Sequence, residues 1–144
     1  MKYLNKIFES NDESNKEILE ALKDYIKDVD KNWNYITPPD LKKAIEKDSK
    51  KYFLLDVRKN EEFKQGHIKG ATNIFWKELL NNLDKLPNDK TIVLICYVGH
   101  TASQMLTALN LLGYKSIVLK FGMGISPVEG VPVAGWIDYG FPTV

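Results

Sequence analysis

TIVLICYVGHTASQMLTALNLL, residues Thr91–Leu112, holds three parts in immediate succession. Ile92 to Cys96 is an apolar run of strand length, and Tyr97 to Thr101 is a short loop. Ala102, Met105, Leu106, Leu109 and Leu112 then recur at helical spacing, and Gly113 stands where a helix end favours a left-handed residue. The spacing therefore predicts a strand, a tight loop and a helix from about Ala102. Cys96, the only cysteine, falls at the mouth of the loop. Gly99 permits a sharp turn with its amides facing inward, and the helix adds free N–H groups and its positive dipole end. Such a cradle suits an anion, and a thiolate is one. The spacing alone leaves two roles open for Cys96, a nucleophile or an inert thiol ending a core strand.

The flanking sequence supplies the scaffold. Tyr52–Val57 is a nearly continuous apolar run, as expected for a parallel strand covered on both faces, and Asp56 and Arg58 close it. Thr37-Pro-Pro-Asp40 opens a helix, with Thr37 as N-cap and Pro38 at the first helical position. Trp33 to Ile36 is a short strand candidate before it. Ser14 and Glu17 have capping-box spacing, which places an N-terminal helix over about Asn15 to Val29. Glu61 to Lys64 is a helical turn stopped by Gly66. His67 to Ile74 leads into another short strand, Trp76 to Leu83 is helical, and Ile117 to Phe121 is the last strand. Residues 125–144, with their scattered prolines and glycines, are expected to be irregular and packed on the domain. Strands alternating with helices predict an α/β domain with a mainly parallel sheet.

Composition narrows the function. The 144 residues suit one ordinary domain, and 44% hydrophobic content can fill a core. A formal net charge of +1 gives no footprint for nucleic acid or an anionic membrane. No apolar run approaches the ~20 residues needed to span a bilayer. One cysteine excludes an internal disulfide and fits a reducing compartment. The start, MKYLNKIFESNDES, lacks a signal-peptide core, so a cytoplasmic location is expected. Two histidines and one cysteine far apart make no metal site, and no cofactor is expected. Arg58 is the only arginine; every other strongly basic side chain is lysine.

Several motifs together carry a resemblance. They are Leu55-Asp-Val-Arg58, Glu62-Phe63, Gly66-His-Ile-Lys-Gly-Ala-Thr-Asn-Ile74, Cys96-Tyr-Val-Gly99 and Leu112-Gly-Tyr114. In order and spacing the chain resembles the rhodanese family of single-domain sulfurtransferases over residues 35–124. Residues 1–34 would then be an N-terminal helical extension, and 125–144 a tail. The resemblance implies a rhodanese-like α/β fold, a five-stranded, mostly parallel sheet with helices on both faces. It implies that Cys96 is the nucleophile, and that Tyr97, Val98, Gly99, His100, Thr101 and Ala102 bind substrate. Asp56 and Arg58 support the loop. The substrates implied are a small sulfur-donor anion and a thiol acceptor, on a protein or free. In this family a loop of six residues goes with sulfur transfer and a longer one with phosphatases and arsenate reductases; Cys96 to Thr101 is six.

One position departs from the family pattern. Many members place an arginine where this chain has Thr101, followed by serine where it has Ala102. Weaker binding of doubly charged thiosulfate is therefore expected, with polysulfide or persulfide as competing donors. Arg58 could reach the pocket, or it could pair with Glu61 or Glu62 and brace the scaffold, which is the expectation here. A second functional class is a non-catalytic rhodanese-like module used for binding or regulation. The intact Cys96 favours the enzyme; the missing loop arginine favours the module.

Overall fold

The computed structural model describes residues 12–29, 33–125 and 134–144. The chain divides into two units, Met1–Trp33 and Asn34–Val144. The first contains helix α1, Asp12–Asp28. This helix already runs through Ser14, so the Ser14–Glu17 pair lies within it and does not cap its start. Among the described residues no helix is long and apolar enough to cross a membrane.

Among the described residues the second unit is built on five parallel strands. In chain order they are β1 (Tyr35–Ile36), β2 (Tyr52–Asp56), β3 (Thr72–Asn73), β4 (Thr91–Ile95) and β5 (Ser116–Leu119). Their spatial order is β1-β5-β4-β2-β3. Every paired neighbour is parallel, in agreement with the expected five-stranded, mostly parallel sheet. Strand β4 is central, pairing with β2 from Tyr52↔Thr91 to Asp56↔Ile95. Its Ile92, Val93, Leu94 and Ile95 are all fully buried. Burying such side chains stabilises by roughly 1.5–3 kcal/mol each.

Side-chain alternation sorts the strands between two cores. Leu55, Ile92, Leu94, Cys96 and Val118 face one side, against Ala102, Leu106 and Leu109 of α4 (His100–Leu111). Leu54, Val93, Ile95 and Leu119 face the other, against Leu41 and Ile45 of α2 (Pro38–Asp48). Both faces of the sheet are thus covered by helix. The start of α2 is as its sequence specifies: Thr37 is extended, and its hydroxyl accepts a 3.3 Å bond from the Asp40 amide.

Two segments differ from expectation. Trp76–Leu83 does not form one helix; short 3-10 turns occupy Leu79–Asn81 and Leu83–Lys85. The Asn82 side chain donates to the Glu78 carbonyl at 2.8 Å, a bond that competes with continuing the helix. A short helix α3, Asn60–Gln65, occupies the region predicted as one turn.

Candidate active site

Cys96 follows β4 directly, and the chain turns at once into α4. The helix begins at His100 rather than near Ala102, because Gly99 is its N-cap at φ 97°. The left-handed backbone at Gly99 is what lets the chain reverse so sharply; a side chain there would be strained. The Gly99 carbonyl accepts from the Ser103 amide at 3.0 Å and from the Ser103 hydroxyl at 2.8 Å. Ser103 Oγ in turn lies 3.1 Å from the Tyr35 hydroxyl on β1. The loop proper is therefore Cys96–Gly99, and His100, Thr101 and Ala102 form the first helical turn.

The thiol is held from within the loop. The Gly99 amide donates to Cys96 Sγ at 3.1 Å. Cys96 is only 1% exposed, so any donor must approach a recessed sulfur. His100 is exposed, Tyr97, Val98 and Thr101 are half-buried, and Ala102 is buried. The Ala102 side chain packs in the core, which leaves only its backbone for a ligand. The loop itself contains no carboxylate, and the N-terminal end of α4 follows it directly, an arrangement that suits an anionic ligand.

A second turn braces the loop from behind. The Met123 amide donates to Cys96 O at 2.8 Å, and the Gly124 amide donates to Tyr97 O at 3.0 Å. At the neighbouring strand end, Asp56 and Arg58 form a buried ion pair. Arg58 Nη2 lies 2.7 Å from Asp56 Oδ2, and Arg58 Nε and the Arg58 amide both reach Asp56 Oδ1 at 3.0 Å. Nη2 also donates to the Gly66 carbonyl at 2.8 Å. Arg58 thus pairs with Asp56, not with Glu61 or Glu62; Nε and Nη2 brace the scaffold, and Nη1 has no hydrogen-bond partner. Asn73, unsuspected from the sequence, ties this corner together by donating to Asp56 O and Arg58 O, both at 2.9 Å.

Tyr97 links the loop to this corner. Burial, then the neighbouring Glu62 carboxylate, pushes the Tyr97 hydroxyl up to about 12; the Lys59 backbone and the Arg58 charge oppose this. An unfolded tyrosine ionises near ~10. The unfolded chain therefore loses this proton first, and the stability from protonated Tyr97 disappears as pH rises through about 12. Tyr97→Phe is expected to flatten the fall of stability between pH ~10 and ~12. Paired denaturation curves across that range measure it, and parallel pH profiles for the two proteins would contradict it.

The sequence profile of the rhodanese-like domain matches residues 37–126. The chain belongs to the rhodanese-like family. It is 34% identical over 83 residues to the putative sulfurtransferase YtwF of Bacillus subtilis, covering 58% of this chain and 80% of that protein. It is 36% identical over 86 residues to the probable adenylyltransferase/sulfurtransferase MoeZ of Mycobacterium tuberculosis, where it spans 58% of this chain and only 21% of the relative. Among solved structures, a rhodanese-related protein from Thermoplasma volcanium superposes with a TM-score of 0.63 at 28% identity, over 76% of this chain and 96% of that one. The rhodanese-like fold and the sulfurtransferase character of the family follow from these matches.

Proposed function

We propose that this rhodanese-like domain is a sulfurtransferase that carries sulfane sulfur as a persulfide on Cys96. The observation that supports it best is the Gly99 amide aimed at Cys96 Sγ beside the N-terminus of α4. A thiolate there attacks the outer sulfur of thiosulfate. A new S–S bond forms to Cys96, the donor S–S bond breaks, and its electron pair leaves on sulfite. The terminal persulfide sulfur is then attacked by cyanide or a thiolate acceptor, which returns Cys96 as thiolate. The two half-reactions make the mechanism ping-pong and need no general base once the thiolate exists. Tyr97, Val98, Gly99, His100, Thr101 and Ala102 would line the donor, with Asp56 and Arg58 as supports. Steady-state transfer from thiosulfate to cyanide should give parallel double-reciprocal lines. Intersecting lines would count against a covalent intermediate.

The donor is expected to be one of low charge, such as a polysulfide or persulfide. The only arginine is spent on Asp56, and the loop position that could hold another is Thr101. Thr101→Arg should therefore lower KM for thiosulfate about tenfold, since hydrogen bonds to charged groups contribute roughly 1.5–3 kcal/mol. An unchanged KM would show that the loop amides already suffice. The 1% exposure of Cys96 favours a second reading, a rhodanese-like module that binds without catalysing. That module would show no turnover with any sulfane donor. A thiol-bearing acceptor and a cytoplasmic site of action complete the proposal.

A further inference from the structure

Residues 134–144 lie beyond the part of the chain that the family profile matches. We infer that this C-terminal segment is a strap that positions the Cys96 loop, an inference that rests on the sulfur-transfer reading of Cys96. The turn Gly122–Gly124 is held on two sides. Toward the loop, Met123 and Gly124 donate to the carbonyls of Cys96 and Tyr97. Toward the tail, the Trp136 amide donates to Gly122 O and the Ile137 amide to Met123 O, both at 3.0 Å. One turn thus transmits the position of the tail to the two residues that begin the loop.

The contacts leave no slack. A Cβ at Gly122 would stand 2.3 Å from Cys96 O, and one at Gly135 would stand 2.1 Å from Gly124 N and 2.5 Å from Phe121 O. No side chain fits in either place without moving backbone. The strap is itself anchored. Trp136 is 2% exposed and packs in the core with Leu119 and Met123. Its Nε1 donates to Pro142 O at 2.9 Å. At the far end, Val144 exchanges two backbone bonds with His67, at 3.0 and 3.1 Å. His67 adjoins Gly66, whose carbonyl takes the bond from Arg58. The segment therefore joins the turn behind Cys96 to the Asp56–Arg58 corner.

A cradle of backbone amides works only when held in register, and a misplacement of ~1 Å costs on the order of 10²-fold in rate. The test uses the full chain and three variants. Gly135→Ala forces the Gly124 turn away; Trp136→Phe removes the Nε1 bond to Pro142 but keeps an aromatic ring and the main-chain bonds; deletion of Val144 cuts the far anchor. Each is assayed for thermal unfolding, for thiosulfate-to-cyanide transfer, and for hydrogen exchange at the Met123 and Gly124 amides. Gly135→Ala, still folded at the assay temperature, should lose about tenfold or more in kcat with KM little changed. Its Met123 and Gly124 amides should exchange faster. Trp136→Phe, which loses one anchor but no main-chain bond to the turn, should fall between the wild type and Gly135→Ala in kcat and in exchange at those amides. If Gly135→Ala does not fold, the Val144 deletion carries the same expectation, a folded protein with lowered kcat and faster exchange at those two amides. Native kcat and native exchange in the folded variant, or a loss that only tracks the unfolded fraction, would overturn the strap. Absence of transfer in the wild-type chain would instead overturn the sulfur-transfer reading, and exchange at the two amides would still decide the strap.

Discussion

Cys96→Ser should abolish sulfur transfer while leaving the melting temperature within a few degrees of the wild type. The side chain changes by one atom. A hydroxyl can accept the Gly99 amide bond that Sγ now accepts at 3.1 Å. Serine cannot form a persulfide, and its hydroxyl is a poor nucleophile without an adjacent base. The loop and α4 should persist, because they are held by Gly99, Ser103, Met123 and Gly124 backbone bonds that do not involve the sulfur. Residual turnover above background would show that another group accepts the sulfur. A large fall in melting temperature with the same loss of activity would assign Cys96 chiefly to packing, where its 1% exposure already places it.

The second large effect is on stability. Asp56→Ala should cost about 3–5 kcal/mol, the range for removing one partner of a buried ion pair. Both side chains of the pair are fully buried. The guanidinium left behind would keep only the Gly66 carbonyl, and its Nη1 has no partner even now. The cost of stranding a buried charge, more than the attraction lost, sets that magnitude. A double variant, Asp56→Leu with Arg58→Met, should recover much of the loss because no charge is stranded. Denaturant unfolding of the two proteins checks both statements. A single-variant loss below about 1 kcal/mol would mean the pair behaves like an exposed one. Because this pair ends β2 beside the end of β4, folded Asp56 variants should also transfer sulfur more slowly.

The fold was largely legible because its signals are local. Thr37-Pro38 caps α2, the apolar run at 92–96 can only be a covered strand, and Gly99 alone permits the left-handed turn that starts α4. What stayed hidden depends on side-chain pairings that spacing alone does not register. The arginine pairs with the aspartate two residues before it rather than with Glu61 or Glu62, three and four residues after it. Helix α4 starts two residues early because Ser103 bonds back to Gly99, an arrangement that helical spacing of apolar residues does not register. The stretch after Trp76 has helical spacing, yet Asn82 bonds to Glu78 and breaks it into 3-10 turns. The Met123 and Gly124 amides behind the loop, and Trp136 behind them, come together only once β4 and β5 are paired. Residues 126–133, where irregular structure was expected, fall outside the described residues.

Mass spectrometry of the intact chain and its peptides after incubation with thiosulfate or polysulfide tests the central claim most directly. One added sulfur atom on the Cys96 peptide is predicted, removed by cyanide or dithiothreitol and absent from Cys96→Ser. Recovery of Cys96 without any sulfur adduct from either donor would contradict it.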